Sequence, residues 1–158
     1  MTEVLGRDDP RARRAAAAAR LQELIRPWEL VSTPLTEGVD FALRLDQPAD
    51  VPGVAPALVL WVHLAIVDAG RATRRGIPYA LRAHLLKQFE EYRLPVLLLG
   101  YDPKAKTFYH LVAQRYVGDV LDSRDPDWRG RRGTTVHFAP SAPLPDAPAL
   151  GELAVANL

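Results

Sequence analysis

Residues Ala57 to Asp68 read ALVLWVHLAIVD. From Ala57 to Val67 every side chain but one is apolar, and the exception, His63, stands at the centre of the run. Eleven residues between Pro56 and Asp68 are too few to cross a bilayer, which takes about 20. A continuous apolar run of this length reads instead as a buried strand. His63 is therefore expected inside the protein, as chemistry, as the relic of chemistry, or as packing.

Upstream of this strand, VDFALRLD alternates strictly, with Val39, Phe41, Leu43 and Leu45 on one side and Asp40, Ala42, Arg44 and Asp46 on the other. Period two predicts a half-buried strand, and QPADVPGVAP, with four prolines or glycines in ten residues, predicts a surface connection to the apolar one. WELVSTPL before it reads as a short strand and TEG as a turn. Asp8 or Asp9 followed by Pro10 is a helix start, because an aspartate caps open N–H groups and proline suits the first turn. The helix is expected from Pro10 to about Arg26, with Leu21, Leu24, Ile25 and Trp28 packing at i, i+3, i+4, i+7.

Downstream, DAGRATRRGIP reads as a loop leading to a helix from about Tyr79 to Tyr92, with Leu81, Leu85, Phe89 and Tyr92 along one side. LPVLLLGYD and FYHLVAQ flank the turn DPKAKT as a hairpin. A short helix over Arg115–Asp122, a polar loop DSRDPDWRGRRG, a last strand TTVHFAP and a proline-broken tail with a helix over Ala147–Ala156 complete the chain. The expected fold class is α/β (α+β), with one mixed sheet flanked by helices. The expected organisation is one domain over residues 1–138 and a tail over 139–158.

Composition bounds the function. The chain has 158 residues, 48% of them hydrophobic, which is enough for one core. Lys and Arg number 20 against 19 Asp and Glu, so bulk charge announces no polyanionic partner. There is no cysteine, which removes disulfides, thiolate metal sites and a cysteine nucleophile. His84, His110 and His137 show no ligand spacing, so no zinc site is expected. No segment has the length of a membrane span, and a cytoplasmic protein is the default expectation. Arginine far outnumbers lysine, and with the alanine and proline excess this matches a GC-rich bacterial genome.

The αβββαβ order, with Gly38-Val39-Asp40-Phe41 opening the second strand and Leu94–Asp102 forming a strand after the helix, resembles the restriction-endonuclease-like PD-(D/E)xK superfamily. The layout is similar to a bacterial nuclease-like family of unknown function. It spans about Leu21 to Phe138. The resemblance implies a divalent metal held by an aspartate and by a carboxylate or glutamine two residues before a lysine, activating water for phosphodiester hydrolysis. Asp40 stands where the first aspartate would. The matching tripeptide is Trp61-Val62-His63, in which tryptophan cannot ligate and histidine offers no fixed charge. The resemblance therefore implies a degenerate site at Asp40, Trp61 and His63. Glu23, Glu37, Asp68 and Lys87 are the candidates for relocated replacements, with Mg²⁺ as the cofactor if they rebuild it around Asp40.

The plain structural reading of His63 is a core histidine with Asp40 as its partner, and that of Asp40 a residue binding local backbone. Between Arg71 and Arg93 there are six basic residues against two acidic. Arg71, Arg74, Arg75, Lys87, Arg129, Arg131 and Arg132 are the candidate nucleic-acid-binding residues, with Trp128 as a stacking ring in a mobile loop. If both arginine loops flank one end of the sheet, they form a phosphate-tracking groove. The expected function is a non-catalytic nuclease-like module that binds nucleic acid or a protein partner, in a defence or DNA-processing setting implied by the resemblance alone. The alternative is an active Mg²⁺-dependent nuclease. A third reading makes the tail an arm on a neighbouring copy in an oligomer.

Overall fold

The computed structural model describes residues 9–32, 37–46 and 57–156. The connection expected over Gln47–Pro56 lies outside them. Helix α1 (Pro10–Leu24) starts as its sequence dictates: Asp9 accepts the Arg11 N–H at 3.1 Å and Pro10 occupies the first turn. Strands β1 (Glu29–Ser32), β2 (Phe41–Asp46) and β3 (Ala57–Ile66) follow as an antiparallel meander. Strand β5 (Val96–Asp102) lies parallel to β3 on its other side, and β6 (Thr107–Val112) returns antiparallel to β5. The main sheet therefore runs β1-β2-β3-β5-β6 and is mixed.

The single sheet expected from sequence is two among the described residues. Residues Ile77–Arg82 form β4 and Gly133–Phe138 form β7, and among the described strands these two pair with each other alone, as an antiparallel ribbon. The helix α2 (Ala83–Glu91) begins four residues later than Tyr79. The reason is a coincidence of periods. Leu81, Leu85 and Phe89 are spaced by four, but Ile77 and Leu81 are buried while Ala80 and Arg82 are exposed, and this local alternation belongs to a strand. Beyond the β5–β6 hairpin, α3 (Ala113–Tyr116), a π turn (Val117–Leu121) and α4 (Asp122–Arg124) make one continuous helical segment, which begins before Arg115. Helix α5 (Ala147–Ala156) ends the described chain.

Each face of the main sheet carries a core. Alternate residues of β3, with Val67 just after it, sort between them: Ala65 and Val67 join Val96, Leu98, Phe89, Val136 and Phe138, whereas Leu60, Val62 and Leu64 join Leu97, Leu99, Leu21, Trp28 and Leu150. Helix α2 and the ribbon cover the first face, and α1 with α5 covers the second. Trp28 bridges the two helices, its indole N–H donating to the Ala147 carbonyl at 3.0 Å. Val39, expected to share a face with Phe41, Leu43 and Leu45, precedes β2 and packs in the first core instead. The segment before α5 runs along β6, where the Leu144 N–H donates to the Phe108 carbonyl at 3.2 Å.

Candidate functional site

Asp40 sits one residue before β2, where the chain leaves a turn and meets β3. Gly38 makes that turn with φ +77°, and a Cβ there would stand 2.9 Å from the side chains of Leu85 and Phe89, so glycine is required on both counts. The Asp40 N–H donates to the Val62 carbonyl at 2.8 Å, which carries its carboxylate alongside β3. One oxygen, Oδ1, accepts from Arg14 Nη2 of α1 at 2.6 Å. The other, Oδ2, accepts the Leu64 N–H at 2.7 Å.

His63 is 8% exposed and faces the first core. Its Nδ1 lies 2.6 Å from the Gly38 carbonyl and its Nε2 lies 2.8 Å from the Tyr79 hydroxyl. A carbonyl only accepts, so Nδ1 carries the proton and Nε2 accepts from the tyrosine. Burial, the largest influence, lowers the His63 pKa, with the Gly38 contact and Asp40 opposing it. The ring is neutral. The expectation that Asp40 is its hydrogen-bond partner is corrected: Nδ1 to Oδ2 is 3.8 Å, and both ring nitrogens are satisfied elsewhere. Trp61 meets Tyr92 edge-on at 4.9 Å, and Phe89 and Tyr79 flank the His63 ring at 5.6 and 5.7 Å. Trp61 and His63 are thus part of an aromatic cluster, while Val62 between them faces the second core.

The residues considered for a relocated metal site do not converge. Glu23 lies exposed on α1, 3.5 Å from Arg20, and Glu37 pairs with His84 at 3.1 Å. Lys87 is exposed on α2. Asp68 accepts the Gly70 N–H at 2.9 Å. Among the described residues no group of three His, Asp or Glu side chains is placed to hold a metal ion.

A cleft of about 650 Å³ opens where the parallel strands β3 and β5 end, with Arg13, Arg71, Lys104, Tyr79, Asp68 and Asp102 among its walls. The carboxyl ends of parallel strands are the usual place for ligands in sheets with this winding. Asp68 stands 3.9 Å from both Arg71 and Lys104, whose side chains are 81% and 84% exposed. Asp102 is only 3% exposed and accepts N–H groups from Ala69 at 3.1 Å and Lys104 at 2.9 Å. It ties the loop after β3 to the turn after β5. Sequence reading had not singled it out, although Asp before Pro at a strand end is an Asx-turn signal. Tyr79 joins this cleft to the Asp40–His63 region through its hydroxyl.

The remaining cations divide into committed and open ones. Trp128 is fully buried, and its indole N–H donates to Asp122 at 2.9 Å, so it is no exposed stacking ring. Arg129 lies 4.5 Å over that indole and is gripped by Glu90 and Asp122, which raise its pKa, while the hydrogen bonds from Arg129 and Trp128 lower that of Asp122. Arg131 pairs with Asp125 at 2.6 Å. Arg74 and Arg75 sit in the turn between Thr73 and Gly76, and Arg132 lies just before β7. The two arginine loops do not share one end of the ribbon. Ile77 faces Phe138 and Arg82 faces Gly133, which puts residues 71–75 and 129–132 at opposite ends. Among the described residues no helix is long and apolar enough to cross a membrane. Comparison with protein-family models, curated proteins and solved structures gives no match.

Proposed function

We propose that the chain is a restriction-endonuclease-like scaffold without a working metal site, which grips nucleic acid through the cationic cleft at the ends of β3 and β5. The observation that carries this reading is the commitment of Asp40. One of its oxygens is ion-paired to Arg14 and the other accepts the Leu64 N–H. The donor set does not suit Mg²⁺, which asks for several oxygen ligands in octahedral array. Trp61 has no donor atom for a metal, and the one lone pair of the neutral His63 ring accepts from Tyr79.

The helix, three-strand meander, helix and parallel strand of α1, β1–β3, α2 and β5 support the scaffold assignment. Arg13, Arg71 and Lys104 in the cleft support a phosphate-bearing ligand, since arginine and lysine contacts to phosphate supply most of the sequence-independent affinity for nucleic acid. A bacterial, cytoplasmic setting in defence or DNA processing is part of this reading.

The test is oligonucleotide binding, to DNA and RNA in single- and double-stranded form, measured between 50 and 200 mM salt. Binding is expected to weaken steeply with salt, and an Arg71→Ala/Lys104→Ala variant is expected to lower the slope of log K against log salt by about 1.4 to 1.8, from about 0.7 to 0.9 per lost contact. An unchanged slope moves the nucleic acid off this cleft. No binding at the lowest salt makes the partner a protein. Mg²⁺- or Mn²⁺-dependent cleavage lost in Asp40→Asn would overturn the non-catalytic assignment.

A further inference from the structure

We propose that the groove between the outer edge of β7 and the helical segment 113–124 is a second phosphate site, which holds a phosphodiester stretch of a nucleic-acid strand. The inference rests on the nucleic-acid reading above and adds a second place on the molecule, of whose lining only Arg75 comes from the loop that carries Arg71 of the β3–β5 cleft. Three arginines from three separate segments border this groove: Arg75 before β4, Arg124 at the end of α4 and Arg131 before β7. They line a concavity of about 200 Å³ together with Thr135 and His137. Its one carboxylate among the described residues, Asp125, is taken by Arg131 at 2.6 Å. Neither Arg75 nor Arg124 has an ion pair with a described residue. Guanidinium groups repel one another, and the two that lack an ion pair among the described residues attract an anion.

The strand edge supplies matching donors. The His137 N–H on this edge is taken by the Tyr116 hydroxyl at 3.0 Å, so the donor offered at this position is the tyrosine O–H. In an antiparallel ribbon the groups on the outer edge recur at every second residue, so the Thr135 N–H points to the same side. Backbone N–H, threonine hydroxyl and arginine are the groups that hold phosphate oxygens in nucleic-acid complexes. Arg75 stands at the Phe138 end of the ribbon and Arg131 at the Gly133 end. Four residue steps of strand lie between Gly133 and His137, roughly 14 Å at about 3.4 Å each, a span suited to a stretch of backbone rather than to a lone ion.

His137 reports the field in the groove. Burial first, then Arg75 and Arg124, hold its pKa below the ordinary 6.5. Arg131, Asp125 and Tyr116 complete the charged and titratable groups around it. A phosphate seated against the arginines would oppose them and raise the His137 pKa, so affinity should increase on mild acidification.

The experiment follows the His137 ring protons by NMR through a pH titration of the full chain, alone, with inorganic phosphate and with an eight-nucleotide oligothymidylate, with His110 as the internal control. The oligothymidylate is expected to raise the His137 pKa and leave His110 unmoved. In an Arg75→Ala/Arg124→Ala variant, whose altered side chains are exposed, the free His137 pKa should already be higher and the added shift should vanish. The same variant should lower the salt slope of oligothymidylate binding by about 1.4. Oligothymidylate binding with no His137 shift and an unchanged slope in that variant overturns this site while the β3–β5 cleft stands. A shift with inorganic phosphate but no oligothymidylate binding overturns the phosphodiester assignment, and absence of any oligonucleotide binding removes the wider reading with it.

Discussion

Arg14 Nη2 stands 2.6 Å from Asp40 Oδ1, and this contact joins α1 to the entry of β2. The other Asp40 oxygen holds the N–H of Leu64, a residue with no exposed surface. The carboxylate is therefore a strut between a helix and two strands. Arg14 would have to be cleared from Oδ1 before that oxygen could bind a metal cation.

Asp40→Ala should destabilise the fold by about 1–3 kcal/mol, because a buried N–H loses its acceptor. Asp40→Asn keeps an oxygen for Leu64 and should cost less. Urea midpoints of the three proteins give the order, and the wild-type midpoint should not move with millimolar Mg²⁺. A midpoint that rises with Mg²⁺ in the wild type and not in Asp40→Asn would restore a metal to the site.

Stability should fall as the protein is acidified below about pH 6.5. His63 has its pKa lowered in the folded state, chiefly by burial. Below the unfolded value the unfolded chain takes up a proton that the folded chain refuses, so the stability present above about pH 6.5 is lost as pH falls toward the folded pKa. His137, also lowered, adds to the same window. Urea titrations at pH 7.5 and 5.5 should show a smaller pH difference in His63→Gln than in the wild type, although the variant is less stable at both. An unaltered pH difference would mean that the His63 pKa is the same in the folded and unfolded chain.

Arg129 should matter for folding and not for nucleic acid. Its contacts with Glu90, Asp122 and the Trp128 ring occupy the guanidinium. Arg129→Ala should cost about 1 kcal/mol, the top of the range for partly solvated pairs. Trp128→Ala, which empties a fully buried site, should cost about 3–5 kcal/mol. The salt slope of oligonucleotide binding should be the same in Arg129→Ala as in the wild type, and a slope lowered by one contact would return Arg129 to the binding surface.

Gly100→Ala should loosen the ribbon from the main sheet. A Cβ on Gly100 would lie 2.9 Å from the Phe138 ring, and Phe138 is fully buried. Forcing it aside should cost about 1–3 kcal/mol. Amide exchange is the readout, with β4 and β7 expected to lose protection and β2 expected to keep it. Equal loss across both sheets would mean that ribbon and sheet unfold as one unit.

Much of the fold is legible from local pattern alone. The Asp9-Pro10 start of α1, the alternation of β2, the unbroken apolar run of β3 and the β5–β6 hairpin each follow from neighbours in the chain. The ribbon does not. In IPYALRAHLLKQFE a strand and a helix are fused without a breaker, and the spacing of Leu81, Leu85 and Phe89 fits a helix even though Leu81 belongs to β4. What settles it is pairing with β7, more than fifty residues away.

The candidate site divides in the same way. Residue types alone determined that Trp61 and His63 are poor stand-ins for the ligand and the lysine of such a site, because an indole has no donor for a metal and an imidazole has no fixed charge. Only the tertiary structure decided what those groups do instead. His63 finds Gly38 and Tyr79, 25 and 16 residues distant, and Asp40 finds Arg14, 26 residues distant. Local spacing dictates which face a side chain takes within its own element, but its hydrogen-bond partner depends on which elements the packing brings together.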